Sequence, residues 1–308
     1  MGLSTGLAGA QLADFADWRL VEDPADPSFS AVVNGPEARL LASNAMPGVV
    51  PAGTDIGLQS VDGFTVASST AGFAFSPGAS FELAIDYQAT FAAATGGLSF
   101  GFGIGEDLAG VNSAGVLLVT QLGLPAAVPF IGPVGGAAVV NDEIEAFFVQ
   151  PAVSAAPATL AGTFYVSYDA VSGDLVVGWG ALGSVAPTSV ATIPAASAVG
   201  AWTGVDLLAT FFIRSDQVEA PIVGVVSTPW SGGTGEVRFD NLRLVSGPVK
   251  WLGCGVDLVP DGALDGQDLL VAVQATASGN PSFDLDQSTS TDVFDLIEFL
   301  RRFDAGCG

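Results

Sequence analysis

Short apolar runs with a period of two residues extend over residues 11–249 and constrain the fold more than any other feature of the sequence. An apolar residue at every second position gives a β-strand one buried face and one exposed face. Turn signals among the 40 Gly and 18 Pro residues separate these runs, and no helical periodicity interrupts them. About a dozen strands without intervening helices predict a mainly β domain of two packed antiparallel sheets.

The pattern predicts strands in these segments: 63–69, 80–91, 97–104, 115–122, 137–141, 143–149, 163–169, 174–179, 205–214, 221–227 and 235–246. The clearest hairpin covers residues 165–179, with turn residues between its two strands. In the last strand the alternation slips at Asp240 and Asn241, which predicts a bulge or a place where the strand meets an ion.

The hairpin turn at 168–175 and the closing strand at 237–244 resemble those of the concanavalin-like or laminin-G-like jelly rolls of secreted proteins. This resemblance implies a jelly-roll sandwich, which we place at residues 11–246. It also implies a structural Ca²⁺ between an N-terminal segment and the last strand, with Asp240 and either Glu22 or Asp23 as ligands. Loop capping and turn chemistry are the alternative role for Asp240.

The charge balance excludes several classes of function. The chain has 8 basic and 32 acidic residues, a net charge of -24, and no His. Nucleic-acid binding requires clustered Lys and Arg, and an anionic membrane surface would repel this chain. The commonest general base and the usual zinc ligand are absent, so any catalysis would have to depend on carboxylates. The alternative reason for the acidity is a solvated surface suited to salty water.

The first ten residues indicate export. Ala8, Gly9 and Ala10 have the small-x-small form of a signal-peptidase site, and we interpret residues 1–10 as the remnant of a signal peptide. We therefore expect a secreted, extracellular protein. Residues 110–141 lack charge, but Pro125, Pro129 and Pro133 argue against a membrane span.

Two twelve-residue segments near the C-terminus, 257–268 and 284–295, begin 27 residues apart and carry oxygen side chains at positions 1, 5, 9 and 12. This is the spacing with which an EF-hand-type loop binds Ca²⁺. The predicted ligands are Asp257, Asp261, the Ala263 carbonyl, Asp265 and Asp268 in the first loop, and Asp284, Asp286, Ser288, the Ser290 carbonyl, Asp292 and Asp295 in the second.

Both loops depart from the ideal pattern. Val259 has no side-chain oxygen at position 3, Thr289 replaces the turn glycine at position 6, and Thr291 replaces the apolar anchor at position 8. An acidic, solvated surface without metal is therefore the alternative. A helix is predicted after each loop, with its start at Asp268 or Asp295. The predicted apolar stripes are Leu269, Leu270 and Val273 on the first helix, and Leu296, Phe299, Leu300 and Phe303 on the second.

Cys254 and Cys307 bracket this small module and are the only cysteines in the chain. In an exported protein the pair predicts one disulfide, and two free thiols are the alternative. Closing a loop of about 50 residues would stabilise the module by on the order of 4 kcal/mol.

Residues 254–308 resemble a dockerin, with two loop–helix repeats and Asp at position 12 of each. The ending at 299–307 resembles the subgroup of GC-type dockerins. Dockerins bind cohesin domains, so the resemblance implies a calcium-dependent attachment to a cohesin-like or cell-surface scaffold protein. Residues 247–253 would be the linker.

Three functions remain open. The first is a non-catalytic binding or adhesion protein with polysaccharide as its ligand, for which Trp230 is the candidate stacking residue and core packing its alternative role. The second is a structural component of an extracellular layer or fibre that associates with copies of itself. The third is a divergent glycoside hydrolase using Glu143 and Glu145, although no third carboxylate follows at Phe147 or Val149.

Overall fold

The computed structural model describes sixteen stretches of the chain: residues 10–11, 15–23, 26–43, 54–69, 71–91, 98–106, 112–122, 131–140, 143–149, 158–194, 202–215, 217–219, 226–228, 234–252, 265–279 and 291–305. Side chains are described for most of these residues, and the longest stretches for which they are not are 119–122, 131–140 and 143–149.

The strands are β1 Ala10–Gln11, β2 Arg19–Asp23, β3 Phe29–Asn34, β4 Glu37–Ser43, β5 Thr54–Gln59, β6 Phe73–Ala74, β7 Phe81–Phe91, β8 Ser99–Glu106, β9 Ser113–Leu122, β10 Ile131–Val140, β11 Glu143–Val149, β12 Ala158–Tyr168, β13 Leu175–Gly180, β14 Ser189–Ile193, β15 Leu207–Ser215, β16 Gln217–Glu219, β17 Val226–Thr228, β18 Thr234–Ser246 and β19 Lys250–Trp251. The helices are α1 Gly266–Ser278 and α2 Val293–Ala305, with short 3₁₀ turns at Phe15–Asp17 and Val66–Ser68.

Two antiparallel sheets form a sandwich. We call the first the closing-strand sheet: its order is β14-β13-β12-β7-β18-β4-β3, and β1 also pairs with β18. The opposite sheet has the order β11-β10-β9-β8-β15-β5-β2. The chain passes between the sheets at several points, for example between β4 and β5 and between β11 and β12, as it does in a jelly roll. The predicted fold class, a two-sheet antiparallel sandwich with a small helical part, is confirmed.

Aromatic side chains from both sheets fill the core. The Phe211 ring of β15 lies 4.5 Å from the Phe239 ring of β18, and 5.1 Å and 5.4 Å from the rings of Phe15 and Trp18. Burial of such large rings excludes more water per residue than any other side chain achieves, and tilted or edge-on contacts add to the stability. Trp18 is only 7% exposed, which confirms core packing for this tryptophan.

Several predicted strands are confirmed, including those at 80–91, 97–104 and 205–214, but the first strands of the chain were missed. The hairpin at 165–179 forms from β12 and β13, and the register of β18 against β7 shifts between Asp240 and Arg243, which is the predicted bulge. The strand predicted at 63–69 is wrong: Thr65 caps a 3₁₀ turn there, because its hydroxyl accepts a hydrogen bond from the Ser68 amide. Strands β2 to β5 and β14 were not predicted.

In the described part of the chain, neither α-helix is long and apolar enough to cross a membrane.

Candidate functional site

The start of α1 has the local geometry of a capped helix. The Asp265 carboxylate accepts a hydrogen bond from the Gln267 amide at 2.6 Å, and Asp268 Oδ2 accepts one from the Asp265 amide at 2.9 Å. The two residues thus satisfy amide groups that have no partner within the helix, and both carboxylates lie near the positive end of the helix dipole.

The start of α2 repeats this geometry. The Asp292 carboxylate accepts from the Phe294 amide at 2.8 Å, and Asp295 Oδ2 accepts from the Asp292 amide at 2.7 Å. Asp268 and Asp295, both at loop position 12, are fully buried. The duplication seen in the sequence is therefore also a duplication of structure at loop positions 9 and 12, and both predicted helices are confirmed.

The two helices bury few apolar side chains. Phe299 and Ala272 are fully buried and Ala275 nearly so, whereas several large apolar side chains are exposed. We call this exposed set the helix-pair apolar face: Leu270, Val273, Val293, Phe294, Ile297 and Leu300. The predicted stripes are therefore only partly buried, since Leu270, Val273 and Leu300 are between 42% and 57% exposed.

The remaining predicted ligands lie outside the described residues: Asp257, Asp261, Ala263, Asp284, Asp286, Ser288 and Ser290. The predicted disulfide of Cys254 and Cys307 and the candidate Trp230 also lie outside them. Within the described stretches, no three potential metal-binding side chains converge. The four described aspartates fit a hard cation in their chemistry, because Ca²⁺ prefers carboxylate oxygens.

A second polar site lies on the outer face of the closing-strand sheet. We call it the sheet-face groove: an open depression of about 480 Å³ lined by Pro36, Glu37, Asp86, Gln88, Leu182, Arg238, Asp240 and Asn241. Register explains its composition, because Asp86 of β7 pairs with Asp240 of β18 and Gln88 pairs with Arg238. Cross-strand neighbours on one face of a sheet lie close enough for their side chains to interact.

Asp86 lies at the floor of the groove and is only 5% exposed. Its Oδ1 atom accepts from the Thr163 hydroxyl at 2.5 Å and from Arg243 Nη1 at 3.1 Å, and its Oδ2 atom accepts from Asn241 Nδ2 at 2.7 Å. A buried carboxylate is stable only when it is paired and hydrogen-bonded, and these three partners meet that requirement.

The bulge in β18 makes this network possible. Asn241 has φ of 50°, in the left-handed region, and is the one described non-glycine residue with positive φ. The register shift places both Asn241 and Arg243 against Asp86. Arg243 also donates hydrogen bonds to the Asn241 carbonyl at 3.1 Å and to the Ser184 carbonyl at 2.9 Å. Bulges commonly redirect a side chain in this way.

One wall of the groove is a row of ion pairs. Arg238 lies 2.6 Å from the Asp240 carboxylate and 2.9 Å from that of Glu37, which Arg39 also contacts at 2.7 Å. Burial raises the pKa of Asp240; Asp86 and Glu37 add to the rise, while Arg238 opposes it.

No protein-family model matches the chain, and no curated protein matches it either. Among solved structures the chain is similar to lectin II from Ulex europaeus, with 11% identity, a TM-score of 0.37, and coverage of 74% of this chain and 93% of the lectin. It is also similar to winged bean acidic lectin complexed with methyl-alpha-D-galactose, with 17% identity, a TM-score of 0.35, and coverage of 74% and 93%.

A glycosyl hydrolase family protein from Mycobacterium fortuitum is similar at 12% identity and a TM-score of 0.35, with coverage of 76% of this chain and 94% of that protein. With TM-scores of 0.35 to 0.37, these similarities carry no argument about what the chain binds.

The sequence analysis predicted Asp240 as a Ca²⁺ ligand on the last strand, with Glu22 or Asp23 as its partner, and this role stays a prediction. Asp240 lies in the sheet-face groove, whereas its suggested partners Glu22 and Asp23 lie on β2 of the opposite sheet. The sequence analysis did not identify Asp86, Gln88 or Arg243 as site residues. No sequence signal could have found them, because strand register alone brings residues 86, 163 and 243 together.

The catalytic alternative, Glu143 and Glu145, lies on β11 at the edge of the opposite sheet. Ala138 pairs with Ala146 and Val139 with Ile144, so the ladder skips Glu145. The simple alternation that placed both glutamates on one face is therefore interrupted at this point.

Proposed function

We propose that the protein is a secreted, non-catalytic binding or adhesion protein that a calcium-dependent, dockerin-like C-terminal module attaches to a scaffold or cell surface. The duplicated helix start carries this proposal: Asp265 with Asp268 and Asp292 with Asp295 have the same capping contacts at the same loop positions. Asp268 and Asp295 are also fully buried, although carboxylates are rarely fully buried unless they are paired.

Calcium would bind through the aspartates of both loops. The amides of Asp265 and Asp292 fix the carboxylates of Asp268 and Asp295 in orientation. A fixed carboxylate loses less conformational freedom when a cation binds. The ion itself would supply the positive charge that compensates the buried acidic groups.

The helix-pair apolar face would be the surface that docks. Phe294 is 62% exposed, and Ile297 and Val293 are each more than half exposed on the same helix. Apolar patches of this kind on soluble proteins commonly mark interaction sites, because covering them removes apolar area from water. A cohesin-like scaffold protein is the partner that the dockerin resemblance proposes.

The sheet-face groove favours binding over catalysis. A general acid or base needs a carboxyl group that can exchange a proton with a substrate. Both oxygens of Asp86 instead accept hydrogen bonds, and Arg243 neutralises its charge. Asp86 is therefore not free to accept the proton that glycoside hydrolysis requires, and the other two carboxylates of the groove, Glu37 and Asp240, are held in ion pairs with Arg238.

A calcium titration of the full chain tests the attachment module. We expect micromolar Ca²⁺ to raise the melting temperature of the module and EDTA to reverse the effect, because a ligand of the folded state stabilises it. The double variant Asp268→Asn with Asp295→Asn keeps shape and a hydrogen-bond acceptor but removes charge. It should weaken calcium binding by roughly tenfold or more, since affinity depends on the number of charged ligands.

Glu82→Gln is the matched control, because it removes one carboxylate from β7, outside the two loop segments 257–268 and 284–295. Calorimetry that gives the double variant and Glu82→Gln the same affinity as the unmodified chain would contradict the proposed module. A melting temperature of the unmodified chain that does not change with Ca²⁺ would contradict it as well.

A further inference from the structure

The lining of the sheet-face groove combines hydrogen-bond donors and acceptors with little net charge. Glu37, Asp86 and Asp240 are acidic and Arg238 is basic. Arg243, which is not part of the lining, forms an ion pair with Asp86. Each acidic residue thus has an arginine partner, which leaves no strong site for a free cation. The overall charge of -24 repels anions from the same surface.

The groove also offers polar groups that the fold does not use. Gln88 is exposed, and among the described residues its amide has no hydrogen-bond partner. The amide of Asn241 has one contact, from Nδ2 to Asp86, so its oxygen can accept a further bond. A planar amide can form hydrogen bonds with two adjacent hydroxyl groups at once. In the groove the amides of Gln88 and Asn241 lie beside the carboxylate of Asp240.

Two apolar side chains border these polar groups. Leu182 is 46% exposed, and Pro36 lies in the turn between β3 and β4. A ring that carries hydroxyl groups around its edge and C–H groups on its face could contact both kinds of surface. The groove volume of about 480 Å³ is within the range of small-molecule sites and, being open, leaves room for a chain to continue in both directions.

We infer that the sheet-face groove binds a neutral sugar ring of a polysaccharide, with Gln88, Asn241 and Asp240 bonding its hydroxyl groups and Leu182 contacting its face. This inference rests on the proposed function, which it makes specific by assigning a site and a ligand class. The Asp86 network serves as the rigid floor, because its buried hydrogen bonds hold Asn241 in its left-handed backbone conformation before any ligand arrives.

Affinity electrophoresis of the full chain tests the site. The probes are four neutral polysaccharides, namely mixed-linkage β-glucan, galactomannan, xylan and dextran, together with the anionic polysaccharide alginate. We expect at least one neutral polysaccharide to retard the protein and alginate to have no effect. Gln88→Ala should weaken the affinity by about fivefold, the typical effect of one lost hydrogen bond.

Asn241→Gly is a second, independent variant, since glycine tolerates the left-handed backbone while the amide is removed. It should weaken the affinity by more than Gln88→Ala. Gln274→Ala is the matched control, because Gln274 is exposed on α1 and lies outside the groove. Melting temperatures of all variants establish that each is folded.

The outcomes separate the site from the proposed function. Retardation that neither groove variant changes would overturn the groove and leave the binding function standing. Alginate retarding the protein as strongly as the neutral polysaccharides would overturn the neutral-sugar assignment. If no neutral polysaccharide retards the unmodified chain, the inference fails, and the calcium titration then decides separately whether the attachment module stands.

Discussion

Arg243 is the single residue on which the sheet-face groove most depends. Its guanidinium lies 3.1 Å from the carboxylate of Asp86 and also donates to two backbone carbonyls. Both members of this pair are less than 10% exposed, so water cannot replace either partner. Loss of the arginine would therefore leave an uncompensated buried charge.

We expect Arg243→Met to lower the free energy of unfolding by about 3 kcal/mol, because Asp86 would then be buried without its counter-ion. Urea denaturation measures this change. Arg39→Met is the matched control, since the Arg39 side chain is 51% exposed and its surface ion pair should contribute less than about 1 kcal/mol. Adding Asp86→Asn to Arg243→Met should recover part of the loss. Equal effects of the two arginine variants would contradict the buried-pair argument.

Asp169 makes a pH-dependent contribution in the turn between β12 and β13. Hydrogen bonds from the Val171 amide and the Ser172 hydroxyl lower its pKa below the ordinary value of 3.8. A lowered pKa in the folded state contributes stability above pH 3.8 that is lost as the pH falls through the folded-state value.

Asp169→Asn should therefore lower the melting temperature at pH 7 by on the order of 2 °C. The difference from the unmodified chain should vanish below the folded-state pKa, where Asp169 is protonated in both states. Thermal melts at a series of pH values from 2.5 to 7 measure the two curves. A difference that stays constant across this series would show that the charge of Asp169 is not its cause.

At the scale of elements, local propensity explains why the sequence analysis missed strand β4 and predicted a strand at 63–69 that does not form. Strand β4 consists largely of good helix formers, with Ala38, Leu40 and Ala42 buried and Leu41 on the other face. Pairing with β3 and β18 overrides this propensity. The segment 63–69 failed in the opposite way, because its β-branched residues suggest a strand while the Thr65 capping box closes a turn.

The close approach of β8 and β9 gives a prediction for these two strands. Gly103 and Gly115 are direct cross-strand partners, and a Cβ atom added at Gly115 would lie 2.5 Å from the Phe102 carbonyl oxygen and 2.6 Å from the Gly103 Cα atom. Gly115→Ala should therefore push the strands apart and lower the free energy of unfolding by about 2 kcal/mol.

Gly105→Ala on the neighbouring strand β8 is the matched control, since its added Cβ atom would come no closer than 3.4 Å to any neighbour. This change should cost less than about 0.5 kcal/mol. Chemical denaturation of both variants provides the comparison, and a Gly115→Ala variant as stable as Gly105→Ala would mean that the sheet adapts at this crossing.

At the scale of the whole molecule, composition predicted the architecture but not the location of the sheet-face groove. Alternation and turn residues decide that the chain forms two sheets, because each strand must bury one face. Which side chains meet on the outer face depends on register and on one bulge, which composition cannot specify. The predicted division into a sandwich at 11–246 and a module at 254–308 stays a prediction.

The acidity of the whole chain gives a final prediction about salt. The net charge is -24, and in the described part of the chain Arg39, Arg238, Arg243 and Lys250 are already held in ion pairs with acidic partners. The remaining carboxylates therefore repel one another, and this repulsion destabilises the compact state.

Because the Debye length falls from about 10 Å at 0.1 M to about 3 Å at 1 M ionic strength, added NaCl should screen the repulsion. The melting temperature should rise steadily with NaCl, measured in EDTA so that calcium binding makes no contribution. A melting temperature that falls or stays constant over this range would mean that local ion pairs such as Arg238 with Asp240, which salt weakens, outweigh the repulsion between distant carboxylates.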